Sequence, residues 1–210
     1  MSAVAASKAT GTAAATTVGT SKGDRTRRRL LDIAIHRFAR DGYRRASVSD
    51  VAREADLTPA AVYAYFANKE ALFKAAVDQD ADELITEARA GIDESSVRAS
   101  VPAVLATLVE RIDLHPLAQR VLSGREPEVI DRLLELPSLL AFTREIEASI
   151  ADAQRDGEVR SDIDPASIAV GLESIVLMLL MGTLQIREPV ESRRVEGALA
   201  VLDAALRPPP

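Results

Sequence analysis

The chain has 210 residues, of which 47% are hydrophobic but only 3% aromatic, and its 26 Lys and Arg against 32 Asp and Glu give a formal charge of −6. The absence of cysteine excludes a disulfide framework, a thiolate metal site and a cysteine nucleophile. The two histidines, His36 and His115, leave little material for a zinc site or a catalytic triad. The core has to be built from Ala, Leu, Val and Ile, a composition that favours packed helices.

The charge is unevenly distributed, with 13 basic and 7 acidic residues in residues 1–74 but 13 basic and 25 acidic residues in 75–210. A basic segment joined to an acidic body indicates that one end meets a polyanion, although a chance distribution of solvated charge is about equally compatible. Residues 1–22 lack periodicity and are predicted to be a disordered tail, without the apolar run of a signal peptide. The longest apolar stretch, residues 174–186, is shorter than the roughly 18–20 residues needed to span a bilayer. We therefore expect a cytoplasmic protein that does not contact a membrane.

Four helices are predicted in the first part of the chain. Apolar residues recur at helical spacing in the first of them, and Gly42 suits the left-handed position that follows a helix. Ser47 is a candidate N-cap for a short second helix, and Thr58 followed by Pro59 is a strong start signal for a third. Asn68 is the next N-cap. The predicted segments are residues 26–40, 48–55, 59–66 and 69–90.

The remainder of the chain is also helical by its pattern. Pro165 behind Asp164 is another start signal, one helix stops before Pro116, and Gly157 ends another. Neither an alternating strand pattern nor an internal repeat is present. The sequence therefore predicts an all-α protein of about nine helices. The later segments are residues 101–114, 128–134, 138–156, 165–186 and 191–206, with an irregular region around 123–127.

The two short helices at 48–55 and 59–66 carry the functional information. Isolated helices shorter than ~12–15 residues are marginal in water, so these two must pack against longer helices and against each other. Ala52 provides a small side chain where they cross, and Val51 and Val62 fill the seam. This pattern indicates a helix-turn-helix whose second helix enters the major groove of DNA N-terminus first, although any helical hairpin gives a similar pattern.

Four segments at unbroken spacing make the interpretation specific. They read Arg29-Leu-Leu-Asp-Ile-Ala, Phe38-Ala-Arg-Asp-Gly-Tyr, Ser47-Val-Ser-Asp-Val-Ala-Arg-Glu-Ala and Val62-Tyr-Ala-Tyr-Phe-Ala-Asn-Lys-Glu-Ala-Leu-Phe. Residues 26–74 thereby resemble the DNA-binding domain of the TetR (tetracycline-repressor) family. The resemblance implies a three-helix DNA-binding domain at 23–68, followed by a helical effector-binding and dimerisation domain at 69–206.

The resemblance also implies which residues contact the DNA backbone. Tyr63 and Lys69 match positions that contact phosphate, and a phenol and an ammonium are suitable donors. Ser47 offers its hydroxyl and the N-terminus of its helix to another phosphate. Arg27 and Arg28 belong to a cationic cluster that neutralises phosphates or reaches the minor groove. A solvated helix start is the alternative for this cluster, but cations there oppose the helix dipole.

Base recognition is assigned to the third helix. Tyr65 matches a position that faces the groove, and the leading tip of the helix consists of Thr58, Pro59, Ala60 and Ala61. Two features depart from the family pattern. Asp56 stands where the turn usually has Gly, and residues 59–66 contain no Arg, Lys, Asn or Gln to read bases bidentately. Readout would then combine hydroxyl groups, apolar contact with thymine methyls and DNA shape.

The helices at 165–186 and 191–206 are predicted to form a homodimer interface. Residues 175–186 are apolar all round the helix apart from Thr183 and Gln185, so we expect burial on every side. Gly171 and Gly182 permit close approach of a neighbouring helix. An intrachain core explains either helix alone equally well, but a reader of two half-sites needs two-fold symmetry.

An effector pocket is implied by the resemblance and only hinted at by individual residues. Pockets are mostly apolar with a few placed polar groups, and the candidates are the polar, soft or aromatic residues within aliphatic helices: His115, Phe142, Glu173, Met178 and Gln185. For each of them taken alone, an ordinary structural role is the better explanation. The effector itself is not identified by the sequence.

The sequence thus predicts a homodimeric repressor that binds a pseudo-palindromic operator in double-stranded DNA and is released by a small molecule, without cofactor or metal. A small helical enzyme is the first alternative, but the common hydrolase, nucleotide-binding and zinc-protease motifs are absent. A nucleoid-type DNA-binding protein without operator specificity is the second. It would have no need of the large acidic body.

Overall fold

The computed structural model describes residues 21–89, 92, 96–130, 133–187 and 189–209. In these ranges the chain forms ten α-helices and no strand, which confirms the all-α prediction. The predicted disordered tail lies outside them as far as residue 20. The helices are α1 (Lys22–Arg45), α2 (Val48–Glu54), α3 (Pro59–Tyr63), α4 (Lys69–Ala88), α5 (Val97–Arg111), α6 (Pro116–Leu122), α7 (Pro127–Ile130), α8 (Pro137–Arg155), α9 (Pro165–Gln185) and α10 (Arg193–Leu206), with 3₁₀ turns at Ile112–Leu114 and Leu133–Glu135.

Most helices begin at a side chain that accepts a hydrogen bond from the backbone N–H three residues further on. Such a cap satisfies one of the backbone donors that a helix start leaves unpaired. Proline at the first helical positions of α3, α6, α8 and α9 also costs no hydrogen bond there. The capping residues are Ser21, Ser47, Thr58, Asn68, Ser96, Asp164 and Ser192.

Two of the first helices differ in length from the prediction. α1 begins at Lys22 because Ser21 and Asp24 form a reciprocal capping box, so Ser21 and Lys22 do not belong to a disordered tail. The α1 chain path continues to Arg45 across a non-helical residue, Gly42. α3 ends already at Tyr63 and continues as turns, three residues short of the predicted end.

The middle of the chain shows two further differences. α5 begins at Val97, earlier than predicted, because Ser96 caps it and Pro102 is accommodated inside the helix. α6 was not predicted at all. Pro116 occupies its first helical position and is its start signal. The sequence prediction used Pro116 only as the end of the preceding helix.

α4 connects the N-terminal helices to the rest of the molecule. It packs against α1 from Phe73 to Glu83 and also against α5, α6 and α8. Phe73 of α4 lies with its ring centroid 4.8 Å from that of Phe38 and 4.8 Å from that of Tyr43, both of which belong to α1. These edge and tilted arrangements are favourable for aromatic pairs, and they fix the direction in which α4 leaves the N-terminal helices.

A buried ion pair joins α1 to α6. Glu126, 3% exposed, accepts hydrogen bonds from Nε of Arg120 at 2.6 Å and from the backbone N–H of Tyr43 at 3.2 Å. Arg120 also donates to the carbonyl of Ala39 at 3.3 Å. The contact requires close approach at Gly42, which has φ +78° and ψ 161° and so confirms the positive φ predicted there. We call these residues the α1–α6 clasp.

α9 lies in the helical bundle against α5, α6 and α8, yet much of its surface is open in the single chain. Val170, Met178 and Ile186 are among its exposed apolar side chains, so the expected burial on every side is wrong for one protomer. Of the helices described, α9 alone is long and apolar enough to cross a membrane, by length and composition. A core helix of a helical bundle meets the same criterion.

We expect Gly42→Ala to destabilise the protein by about 2 kcal/mol or more, because a side chain is strained at this φ and ψ. A Cβ at this position would also lie 2.6 Å from Nη2 of Arg120 and 3.0 Å from Oε1 of Glu126. Gly157→Ala is the matched control, since Gly157 has φ +77° but nothing within 4 Å of a Cβ, and it should cost only about 1 kcal/mol. Urea unfolding at fixed protein concentration measures both, and equal losses would contradict the close approach.

We expect Glu126→Ala to cost about 3 kcal/mol, because it leaves a partly buried guanidinium and a backbone N–H without their acceptor. Glu145→Ala is the control: Glu145 forms a two-point pair with Arg89, but both side chains are substantially exposed. That change should cost less than about 1 kcal/mol. Similar losses in the two variants would show that the clasp contributes no more than a surface pair.

Candidate nucleic-acid interface and effector cavity

α2 and α3 form a compact pair that is clamped by apolar contacts. Val51, Ala52 and Ala55 on the α2 side and Val62 and Phe66 on the α3 side are all buried. They belong to the same core as α1 and α4. Helices of seven and five residues have no stability of their own, so this packing is what holds them at a fixed angle.

The turn between α2 and α3 uses an aspartate in the left-handed conformation. Asp56 has φ 56°, as the sequence required once Asp replaced the usual Gly. The N–H of Leu57 donates to the carbonyl of Ala52 at 2.9 Å and closes the turn. The Asp56 carboxylate accepts from Arg29 of α1 at 3.1 Å, so the side chain that strains the turn also ties it to α1.

α3 presents its N-terminal tip and one side to solvent. Thr58 accepts from the N–H of Ala61 at 3.2 Å, and Thr58, Pro59 and Ala60 are exposed while Ala61 is half-buried. Tyr63 is 50% exposed and Tyr65 37% exposed. An exposed aromatic pair at the end of a short helix and in the turn after it, with a buried opposite face, is typical of a contact surface. The predicted base-reading residues therefore lie where a ligand of the size of DNA can reach them.

Lys69 is held beside the end of α1. Its Nζ donates to the carbonyl of Arg44 at 3.3 Å and lies 4.6 Å from the centroid of the Tyr43 ring. Arg44 and Arg45 are exposed at the same place. The structure thus gathers three cations immediately before α2 and at the start of α4. The sequence reasoning missed the two arginines, although their position two and three residues before the Ser47 cap was a usable signal.

Ser47 does not offer a free hydroxyl. It donates to the carboxylate of Asp50 at 2.7 Å and accepts from the N–H of the same residue at 3.1 Å. The Ser47 hydroxyl, followed by Arg53, holds the pKa of Asp50 below its usual value. The Asp50 carboxylate at the start of α2 therefore stays negatively charged at neutral pH. A phosphate that accepts a hydrogen bond from Ser47 has to replace this carboxylate as the acceptor.

The cationic cluster on α1 is divided between structural roles. The guanidinium of Arg27 lies 5.2 Å from the ring centroid of Phe66, a cation–π arrangement that covers the end of the helix-turn-helix. Arg28 lies 3.7 Å from Glu83 of α4, and both side chains are well exposed. Exposed pairs of this kind are weak, so Arg28 can leave Glu83 for a phosphate at little cost.

A cavity of about 530 Å³ lies in the body between α4, α5, α6, α8 and α9. Its walls are mainly Val, Leu, Ile and Ala, and a volume of this size is in the range of small-molecule sites. Two of the five predicted effector residues line it. Phe142 is a buried part of the wall, and Glu173 lines it from α9 while accepting a hydrogen bond from the Thr143 hydroxyl.

The other three predicted effector residues do not line this cavity. His115 is buried beside α4, next to Asp80 and Glu87. Met178 is 72% exposed on the outer face of α9. Gln185 donates to the carbonyl of Leu122 at 2.7 Å and so ties the end of α9 to α6. For Met178 and Gln185, helical periodicity could not show which face of α9 lines the cavity, because α9 is apolar on all its faces.

The polar groups of the cavity wall are strongly biased towards negative charge. None of the described residues that line it is basic, whereas five are acidic, which the sequence reasoning missed apart from one. The acidic residues are Glu145, Asp152, Asp156, Glu158 and Glu173. Arg89 pairs with Glu145 and Arg155 pairs with Asp152, so the described part of the wall carries an excess of carboxylates.

The sequence matches known proteins over the helix-turn-helix and beyond it. The family model described as "Bacterial regulatory proteins, tetR family" matches residues 30–76. The HTH-type transcriptional repressor KstR2 of Rhodococcus jostii (strain RHA1) is 30% identical over 145 residues, which are 66% of this chain and 70% of that protein. The HTH-type transcriptional regulator UidR of Escherichia coli (strain K12) is 26% identical over 144 residues, 67% of this chain and 72% of that protein.

Solved structures agree with the whole described fold. A TetR-family transcriptional regulator from Rhodococcus sp. superposes with a TM-score of 0.65 at 26% identity and covers 87% of this chain and 99% of its own. The transcriptional regulator SCO4942 from Streptomyces coelicolor gives a TM-score of 0.53 at 27% identity, covering 86% and 95% of the two chains. The similarity therefore extends through the body as well as the N-terminal helices.

Proposed function

The chain belongs to the TetR family of bacterial regulatory proteins and is a DNA-binding transcriptional regulator, and on that premise we propose that it represses transcription as a ligand-released homodimer. Each protomer inserts the tip of α3 into a major groove of a pseudo-palindromic operator. The single observation that carries this proposal is the exposure of Thr58, Pro59, Ala60, Tyr63 and Tyr65 on a clamped two-helix unit. The proposed regulator acts in the cytoplasm, where the bacterial DNA lies.

The proposed contacts divide into positioning and reading. Lys69 and Tyr63 hold phosphates on the two sides of the helix, while Tyr65 and Thr58 touch base edges. Pro59, Ala60 and Ala61 offer apolar contact to thymine methyls, so the operator should be read partly through its shape. The proposed DNA-binding domain, residues 23–68, has its apolar residues buried in one core. Its orientation depends on α4 and on the α1–α6 clasp.

The proposed homodimer uses α9 and α10. Val170 and Met178 of α9 and Val201 of α10 are 54%, 72% and 69% exposed in one chain. Exposed apolar side chains on both helices favour association with another apolar surface. Gly171 and Gly197 have nothing within 4 Å of a Cβ, so these faces remain open to a second copy. A two-fold pair of helices from each protomer would form a four-helix interface that sets the spacing of the two α3 helices.

The cavity is proposed as the effector site, and its wall defines the class of effector. The apolar part of the ligand would fill the space between α4, α5 and α8. Glu173 and the neighbouring carboxylates favour a positive charge or hydrogen-bond donors on the ligand. An anionic ligand would be repelled by the same groups. We therefore assign the effector to apolar organic cations or neutral donors.

The proposed route from the cavity to DNA runs through α6. Ala118, Val121 and Leu122 line the cavity, and Arg120 on the same short helix holds the end of α1. Two faces of one seven-residue helix thus serve the ligand and the N-terminal helices. A ligand that displaces α6 moves the clasp with it. It changes DNA affinity only as far as it prefers the displaced state, by about 1–3 kcal/mol for typical coupling.

DNase footprinting on the DNA that flanks the gene of this protein tests the proposed function. We expect protection of one inverted repeat whose half-sites are about one helical turn apart or a multiple of it. Protection of no sequence, or uniform coating of all DNA, would contradict operator binding and favour the nucleoid-type alternative.

Tyr65 and Lys69 should differ in what they contribute to DNA binding. We expect Tyr65→Ala to weaken operator binding about tenfold or more while random-sequence DNA is affected less. Lys69→Ala should weaken both alike and lower the salt slope of binding by about one. Lys74→Ala is the control for lost charge, because Lys74 pairs with Glu70 on the same helix. Equal specificity ratios in the Tyr65 and Lys69 variants would overturn the assignment.

The charge preference of the cavity can be measured with two ions of the same shape. We expect tetraphenylphosphonium to bind at least about tenfold more tightly than tetraphenylborate, a difference of about 1.4 kcal/mol. Glu173→Gln should reduce this preference, whereas Glu147→Gln, an exposed change on α8 outside the cavity, should not. Tighter binding of the borate, or an unchanged preference in Glu173→Gln, would contradict the proposed effector class.

A further inference from the structure

A buried histidine outside the effector cavity has no hydrogen-bond partner. His115 precedes α6 and is only 4% exposed, yet neither ring nitrogen forms a hydrogen bond. Nδ1 lies 3.4 Å from Oδ1 of Asp80, and Nε2 lies 3.7 Å from Oε1 of Glu87. Buried polar groups are nearly always paired, so this imidazole requires a partner.

Asp80 is placed to direct one oxygen at the histidine. It is 3% exposed on α4, and its Oδ2 accepts the backbone N–H groups of Leu117 at 2.8 Å and Ala118 at 2.7 Å. These bonds fix the carboxyl group and leave Oδ1 turned towards Nδ1 of His115. Burial raises the pKa of Asp80 against the effect of these hydrogen bonds. A cation in this space would offset the cost of keeping the carboxylate ionised.

Glu83 completes a set of three ligand groups. It lies one turn after Asp80 on α4, and donor atoms of Asp80, Glu83 and His115 all lie within 4.8 Å of one another. The Glu83 side chain is 43% exposed, so it can rotate inward from its contacts with Gln79 at 3.3 Å and Arg28 at 3.7 Å. The cluster therefore combines two fixed, buried donors with one adjustable donor at the surface.

The 3.4 Å separation of Nδ1 of His115 from Oδ1 of Asp80 fits two metal ligands better than a hydrogen bond. An N–H···O hydrogen bond spans about 2.7–3.2 Å, shorter than the separation of Nδ1 from Oδ1. Two ligands on a tetrahedral zinc ion, with bonds of about 2.0–2.2 Å, lie about 3.3–3.6 Å apart. Oε1 of Glu87 lies 3.7 Å from Nε2 on the far side of the ring, so a small movement of either side chain would bring it within hydrogen-bond distance of Nε2. A carboxylate in this position is a common second partner of a metal-binding histidine.

We propose that Asp80, Glu83 and His115 bind a divalent first-row transition-metal ion, with Nδ1 of His115 as the nitrogen ligand and Glu87 orienting the ring. Imidazole and carboxylate together suit Zn²⁺, Co²⁺ and related ions, and three protein ligands leave room for water. The ion links α4 to the start of α6. The expectation of no metal site rested on the count of histidines, but a site of this composition needs only one.

The test is Zn²⁺ titration of the full-length protein after chelator treatment, by calorimetry and by thermal unfolding. We expect one ion per chain and a rise in the unfolding temperature that saturates with the same stoichiometry. Co²⁺ should give visible absorption from coordination by nitrogen and oxygen, and Mg²⁺ at the same concentration should not compete. Glu83→Gln should weaken Zn²⁺ binding at least about tenfold, and His115→Gln should abolish it.

His36→Gln is the matched control, because His36 is the other histidine of the chain and is exposed. It should leave Zn²⁺ affinity unchanged. Absence of saturable Zn²⁺ binding to the native protein would overturn the proposal. Unchanged affinity in Glu83→Gln, or an equal loss in His36→Gln, would also overturn it. If His115→Gln fails to fold, Glu83→Gln decides alone, since its half-exposed side chain is not part of the core.

Discussion

The orientation of the DNA-binding helices depends on one buried carboxylate. Glu126 accepts hydrogen bonds from both Arg120 and the backbone N–H of Tyr43, so it joins the loop between α6 and α7 to the end of α1. Because the Arg120–Glu126 pair is largely removed from water, loss of either partner would lower the free energy of unfolding substantially. Gly42 makes the approach possible, and the aromatic contacts of Phe38, Tyr43 and Phe73 hold α4 alongside. Among the described residues, α4 and α6 make the main contacts between the body and α1.

α6 contacts the cavity, the end of α1 and the cluster around His115. One face lines the cavity, Arg120 grips α1, and the backbone N–H groups at its start bind Asp80 beside His115. A helix of seven residues has few contacts of its own and is held by these partners. The proposed effector and the proposed metal ion would thus act on one small element. α9 supports it from behind through Gln185, while the outer face of α9 remains apolar and exposed.

Local signals predicted the helix-turn-helix well because they are properties of neighbouring residues. Ser47, Thr58 and Asn68 cap the helices where their hydrogen-bonding chemistry requires. Asp56 takes a left-handed conformation because the short turn leaves no other path. The family motif over residues 30–76 then placed Tyr63 and Tyr65 on the exposed side. The length of α3 was overestimated because a short helix that ends in turns keeps the same apolar spacing.

By itself, the sequence determined the class of fold and the family, and it placed Thr58, Tyr63 and Tyr65 on a short two-helix unit, since caps, turns and helical periodicity act over a few residues. Contacts between distant residues decided the rest. Glu126 meets Tyr43 across 83 positions, and His115 meets Asp80 and not the cavity. Met178 and Glu173 lie on the same apolar helix, yet one faces solvent and the other the cavity. Which face of a uniformly apolar helix is buried depends on the helices that pack against it, and the helix's own periodicity does not show where those helices lie.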